Sequence, residues 1–452
     1  MAAAGKYSSW VHSGFFGILQ KISVPVSSIL ITMILAHKAI SREEMGVWAL
    51  FMSITAVIEL IRQGLVKTSL IKFINHSSHD EHKYVLSAAL FLNAAITLIT
   101  ALVLFFCARY FAVLLKAPQL ENMIYLLQAG MLIMIPFSHF EWVMYGNTQM
   151  KGLFWAYLFR QGITLLLVAV IVIFTGKISL NMLVVIYNIA MLTGTIILYK
   201  YVRKFLSHTF ILSKEWVLRL LHFGKYVFGS GLSTLVFRSA DQFMISPLLG
   251  STAITASQNV SVRIINLADI PSQVLGDILF PRSAKKENSE RKETIKYYYE
   301  KAVGATLCII IPFLLIFVLF PKLIILILAG PQYLDAIPYL RLISITGIFL
   351  AFLKQFGVIM DSTGNPKINL IAITILAVIH VFFCYFFIKH FGLLGAAYAL
   401  LSSHVTGFIL TQLLLYKFFR INFLNCFKNA FLFYPEFANI IFEKLNLKWK
   451  TR

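Results

Sequence analysis

Arginine and aspartate three residues apart, in the middle of a long apolar run, are the first sign of chemistry in this chain. Arg238 and Asp241 lie within residues 224–250, a run long enough to span a bilayer. A charge at the centre of a spanning helix costs roughly 2.5–3.5 kcal/mol on insertion scales, so it persists where it meets a partner or a wet cavity. At spacing i, i+3 the two share a helix face. Either they neutralise each other as an ion pair, or they belong to the wall of a transport pathway.

Charges elsewhere bear on that choice. Other apolar runs carry Lys21, then Glu59, Arg62 and Lys67, then Arg263, Asp269 and Asp277. Glu141, Arg160, Arg341, Lys354 and Asp361 are scattered through further runs, several near their ends, where long side chains can snorkel. At about 1.5 Å rise per residue, Arg62, Arg238 and Arg263 fall well inside a core of roughly 30 Å. Three guanidiniums at depth suit a phosphate-bearing head group, because the planar fork binds bidentately and stays charged. The bland alternative pairs Glu59 with Arg62 and Arg263 with Asp269. The set as a whole favours the pathway. Pro25 and Pro271 lie in the charged runs and are candidate hinges, since proline removes a helical hydrogen bond.

These residues need helices to carry them. Of 452 residues, 59% are hydrophobic and 13% charged, with mean hydropathy +0.80, far from the roughly 25% charged of soluble domains. Apolar stretches near 14–36, 46–74, 84–107, 120–146, 153–175 and 179–201 give six spans, and six more fall near 225–249, 253–280, 300–321, 333–361, 367–389 and 393–418. The first is longer than a signal-peptide core and reads as a retained span. The expected fold is all-α and integral to the membrane, with twelve transmembrane helices. Lobes at 1–205 and 224–420 flank a basic connection at 206–223, and 421–452 form a cytoplasmic or interfacial tail.

Loop charges orient the chain. With the N-terminus cytoplasmic, 25 of the 40 Lys and Arg lie in cytoplasmic loops and termini, against 7 in the opposite loops. That bias places both termini in the cytoplasm. The net charge of +21 is therefore a topology and lipid signal rather than a nucleic-acid footprint. Residues 34–50 align without gaps on 248–264, matching Ala39 to Ala253, and residues near Lys116 resemble those near Ala329, pairing Pro118 with Pro331. Six spans restore the starting side, so the repeat relates the lobes by a pseudo-two-fold axis along the membrane normal.

Little else competes. Cys107, Cys308, Cys384 and Cys426 show no disulfide or metal spacing. The run His76-Ser77-Ser78-His79-Asp80-Glu81-His82 has metal-like residue types but reads as a solvated loop. No P-loop, metal site, cofactor or catalytic set is expected.

The segments SREEMGVWAL, ELIRQGLVKTSL and RSADQFMISPLLGS, with two six-helix lobes and charge in spans 1, 2, 7 and 8, resemble the polysaccharide flippases. Those belong to the multidrug/oligosaccharidyl-lipid/polysaccharide exporter superfamily, and the resemblance is to Wzx-type O-antigen flippases. Where family members often carry Asp-Arg, this chain has Asp241-Gln242. The resemblance implies a bacterial inner-membrane protein that moves an undecaprenyl-diphosphate-linked glycan to the outer leaflet, alongside other polysaccharide-assembly proteins. It makes Arg62, Arg238 and Arg263 phosphate ligands, with Lys21 near the cytoplasmic mouth. Glu59, Asp241 and Asp269 become candidates for a coupling proton or sodium ion. The rivals are a drug or cation exporter of the same superfamily, with acidic cavity residues, and a membrane glycan polymerase or glycosyltransferase, with a sizeable extramembrane loop.

Overall fold

The computed structural model describes residues 16, 19–20, 23–76, 78–147, 149–206, 209–283 and 292–435, and among them all regular structure is helical. The chain runs through α1 (Ser23–His37), α2 (Arg42–Ile74), α3 (His82–Leu114), α4 (Gln119–Gly146), α5 (Met150–Thr175) and α6 (Leu180–Phe205). It continues through α7 (Lys214–Leu249), α8 (Thr252–Ala268), α9 (Ile270–Ser283), α10 (Lys292–Leu319), α11 (Pro321–Leu328), α12 (Ile337–Ser362) and α13 (Pro366–Phe419). A last helix, α14, covers 423–435.

Among the described residues, eight helices are long and apolar enough to cross a membrane: α2 to α6, α10, α12 with its lead-in, and α13. The last of these is two crossings. Its 54 residues would reach about 81 Å, and it breaks at Gly392 with φ 60 and ψ −135, a conformation that side chains exclude. Just past that turn, a Cβ on Gly395 would lie 2.0 Å from the Phe387 carbonyl oxygen. Three polar segments, α1, α7 and α8 with α9, bring the crossings to the expected twelve. Of these, α1 is a shorter apolar helix over its described residues, while α7 and α8 with α9 carry charged residues singled out above. Outward-facing Phe106, Ile173 and Phe174 are 74%, 78% and 84% exposed, which suits lipid rather than water. The protein is a multi-pass membrane protein.

Local chemistry fixes the helix ends. Ser41 and Glu44 form a reciprocal capping box at the start of α2, with bonds of 3.1 and 2.8 Å. The chain turns through positive φ at Lys116 (50°) and at Gly330 (91°), two residues before Pro118 and one before Pro331. Pro271 lies where α8 gives way to α9. There the Asp269 N–H donates to Asn266 three residues back, at 3.3 Å.

The chain forms two compact units, residues 1–260 with 326–334, and residues 261–325 with 335–452. In the first, α7 packs with α1 to α6, although the repeat places the lobe boundary at 224. The reason is a close seam along α2. The Ser69 hydroxyl donates to the Leu220 carbonyl at 2.9 Å, and a Cβ on Gly224 would lie 2.0 Å from the Leu65 oxygen. Another end of this unit is tied by Arg42 donating to Ser257 at 2.7 Å, His37 sharing a bond with Leu326 O at 3.2 Å, and the Gln332 amide donating to Ala36 O.

In the second unit, α14 docks along α10. The Asn425 amide donates to Glu300 at 3.1 Å, and the Tyr434 hydroxyl donates to Cys308 O at 2.8 Å. Burial, and then the Glu300 carboxylate, push the Cys426 thiol well above its ordinary range.

Gly46 tests the tie in the first unit. A Cβ there would sit 1.8 Å from the Thr252 carbonyl oxygen. Gly46→Val is expected to lower the thermal midpoint of the detergent-purified protein, with an overpacking cost of about 1–3 kcal/mol. Gly162→Ala, in open space, is the control and should leave the midpoint unchanged in a melting scan.

Candidate functional site

The polar interior of the first unit grows from one irregularity. After Arg62, α2 changes to a π-helical turn over Gln63–Lys67, a feature frequent at functional sites. In an α-helix, residues 62 and 67 would differ by about 140° around the axis. A turn closed by i→i+5 bonds returns residue 67 to the side of residue 62, so both address α4. Arg62 reaches Ser138, and Lys67 lies 3.7 Å from Glu141.

Arg62 is 0% exposed. Its guanidinium donates to Asn93 Oδ1 at 3.1 Å, Met134 O at 3.0 Å, Glu59 Oε2 at 3.4 Å and the Ser138 hydroxyl, and it lies 5.9 Å over the Trp142 ring. This corrects the expectation that Arg62 offers itself to a ligand: its donors are already engaged by protein and no surface is left. Glu59 is 28% exposed and also accepts from Gln63 at 2.7 Å.

Beside this hub is a mixed aromatic and charged group that spacing alone did not reveal. Lys67 sits 4.4 Å over the Tyr145 ring, and the Tyr157 hydroxyl donates to Glu141 at 2.8 Å. The other Glu141 oxygen is buried without a partner. Arg160 is half-buried against three rings, Phe137 at 5.2 Å, Tyr187 at 5.5 Å and Tyr157 at 6.0 Å. Glu141 and Arg160 were visible in the sequence as charges within spans. Nothing in their spacing tied them to α2, because the π-turn that does so has no residue signature.

Arg238 and Asp241 separate. Asp241 is 3% exposed and accepts from its neighbour Gln242 N–H and from Gln258 Nε2, each at 2.9 Å. Arg238 is exposed, and among the described residues it makes no ion pair. The two are not an i, i+3 pair. Arg238 lies 11 residues from the end of α7 at Leu249, about 17 Å along the axis, or roughly half the thickness of a 30 Å core.

In the second unit, Arg263 is half-buried. Asp269 is ion-paired with Lys354, and Gln273 donates to it at 3.2 Å. The expected partner of Asp269 was Arg263; α12 supplies a lysine instead. Lys21 lies outside the described residues, and Pro25 lies within α1. The metal-like run around residue 80 resolves into a cap: the Ser78 N–H and hydroxyl donate to Glu81 at 2.9 and 3.0 Å and hold its carboxyl below the usual range. Among the described residues no group of three His, Cys, Asp or Glu could hold a metal ion.

Comparison places this architecture. Residues 34–338 match the family model of polysaccharide biosynthesis proteins. An uncharacterized membrane protein of Methanocaldococcus jannaschii is 28% identical over 232 residues, covering 51% of this chain and 46% of that protein, so the chain matches about half its relative's length. Among solved structures, the lipid II flippase MurJ in an inward closed conformation superposes with TM-score 0.71 at 13% identity, over 95% of this chain and 99% of that one. An inward-facing MATE family transporter of the MOP superfamily gives 0.70 at 16%, over 88% and 98%. A MOP superfamily transporter from Pyrococcus furiosus gives 0.62 at 16%, over 90% and 95%. The chain thus shares its fold with these transporters and belongs to the polysaccharide biosynthesis protein family.

Proposed function

We propose that the protein is a flippase that carries an undecaprenyl-diphosphate-linked oligosaccharide, an O-antigen or similar repeat unit, across a bacterial inner membrane from the cytoplasmic leaflet. The observation that carries this reading is Arg238, an exposed guanidinium with no ion pair among the described residues, about 17 Å from the end of α7. Facing lipid it would be strongly unfavourable, so it belongs to a watered path. A diphosphate is the ligand that a fixed, always-charged fork suits best.

Arg160 provides further positive charge in the same unit, framed by tyrosine and phenylalanine rings. Such rings suit the apolar faces of sugars. In the second unit, Arg263 is the corresponding candidate. Only the phosphate and sugars need the polar route; the polyprenyl tail stays in lipid.

Asp241 supports ion coupling. A buried carboxylate whose hydrogen-bond donors among the described residues are neutral amides has a place for one proton or cation. Glu59 and Asp269, by contrast, already sit beside Arg62 and Lys354. Membership of the polysaccharide biosynthesis protein family favours a glycan over a drug.

Three substitutions divide these roles. Arg238→Ala should abolish surface glycan export and leave lipid-linked repeat units on the inner leaflet, with inserted protein at normal abundance by immunoblot; full export in that strain would overturn the reading. Arg62→Ala should instead remove the protein itself, because stripping one partner from a buried charged network costs about 3–5 kcal/mol. Asp241→Asn should keep binding of the lipid-linked glycan while uncoupling transport in proteoliposomes from an imposed proton or sodium gradient. Retained gradient dependence would exclude Asp241 as the coupling group.

A further inference from the structure

A second cationic site lies at the opposite end of α7 from Arg238. At 36 residues, α7 reaches about 54 Å, well beyond a hydrocarbon core of roughly 30 Å; counted back from Leu249, Lys225 stands at head-group depth and the turns before it lie farther out. Against the end of α2 those turns form an open groove of about 930 Å³. Its apolar lining includes Leu65, Phe73, Leu218 and Leu221.

The rim is basic. Lys72, Arg219 and Lys225 line it with one carboxylate, Glu215, and all four are exposed. Glu215 is occupied by Arg219 at 2.5 Å. Aromatic rings and a histidine hold the cations at the lip: Lys72 lies 4.0 Å over Phe223, Arg219 lies 4.9 Å over Trp216, and Lys225 donates to His222 Nδ1 at 3.4 Å. The net rim charge of three cations and one carboxylate is +2. An apolar floor beneath a positive lip at head-group depth is complementary to a lipid with a negative head and greasy chains.

We propose that this groove docks an anionic phospholipid of the surrounding bilayer, its phosphate at Lys72 and Lys225 and an acyl chain running past Leu65 toward the core. The groove borders the seam where Leu220 accepts from Ser69, so a lipid seated there clamps α7 to α2. The proposal stands apart from the glycan reading and requires no transport.

The test is phosphatidylglycerol binding to the purified full-length chain, read by thermal midpoint and by titration. Wild-type protein should be stabilised by phosphatidylglycerol and not by phosphatidylcholine, with affinity falling as salt rises. Removing both lysine charges in Lys72→Gln/Lys225→Gln should weaken phosphatidylglycerol about 25-fold, at roughly fivefold per interfacial cation. Both positions are exposed, so the lipid-free midpoint should be unchanged. Equal affinity for the two phospholipids, a salt-independent affinity, or unchanged binding by the double variant would each overturn the proposal. So would equal stabilisation by inorganic phosphate alone, or polyprenyl phosphate binding more tightly than phosphatidylglycerol at this groove; the last outcome would give the groove to the transported lipid. If the double variant does not fold, the wild-type salt and head-group comparisons still decide.

Discussion

A guanidinium held away from water inside a helix bundle must have its donors met by protein, and Arg62 is met by α2, α3 and α4 at once. Asn93 comes from α3, Met134 and Ser138 from α4, and Glu59 from α2 itself. Any shift of one helix relative to the others strands a buried polar group, and such groups are costly to leave unmade. The Arg62 network therefore acts as a register pin for the first unit. Apolar packing alone would not do this in lipid, where neighbouring chains are as greasy as the helix surfaces and small or polar contacts supply the specificity.

The same constraint sorts the other charges. Lys67 and Glu141 satisfy each other across 3.7 Å with help from Tyr157, and Asp269 finds Lys354. What remains after this pairing is informative because it is not forced by stability. Arg160 is met by aromatic faces and a tyrosine hydroxyl, Asp241 by amides, and Arg238 by no ion pair among the described residues. A charge kept at membrane depth without an opposite charge beside it is expensive for folding alone. Its retention points to a ligand or ion that visits.

Much of this was legible in the residues and some was not. Composition and apolar run lengths give twelve crossings, and of the four charge-bearing spans read from the sequence, α7 and α8 with α9 fall outside the eight most apolar helices while α2 is among them. Partner choice was not legible. The i, i+3 rule places Arg238 beside Asp241, but a side chain on a packed helix chooses among neighbours from other helices. Gln258, 17 residues on, takes the aspartate. Likewise Lys354, 85 residues away, takes Asp269. The π-turn at Gln63–Lys67 was invisible for a related reason: it is stabilised by what it lets α2 reach on α4, not by local propensity.

That turn also explains why α7 packs with the first unit. Widening the helix at Gln63–Lys67 pushes the Leu65 carbonyl outward. Only a residue without a side chain can lie against it, and Gly224 does so, while Gly64 on α2 meets the Phe228 backbone with an ideal Cβ only 2.9 Å from its Cα. The α7 backbone is thereby locked to the stretch of α2 that carries Arg62 and Lys67. Fourteen residues separate Gly224 from Arg238, about 21 Å of helix, so a rigid α7 transmits any tilt at the seam to the depth of Arg238. A helix anchored by backbone contact at one end and bearing a free-standing charge farther along is a lever, and the polar network of α2 is its fulcrum.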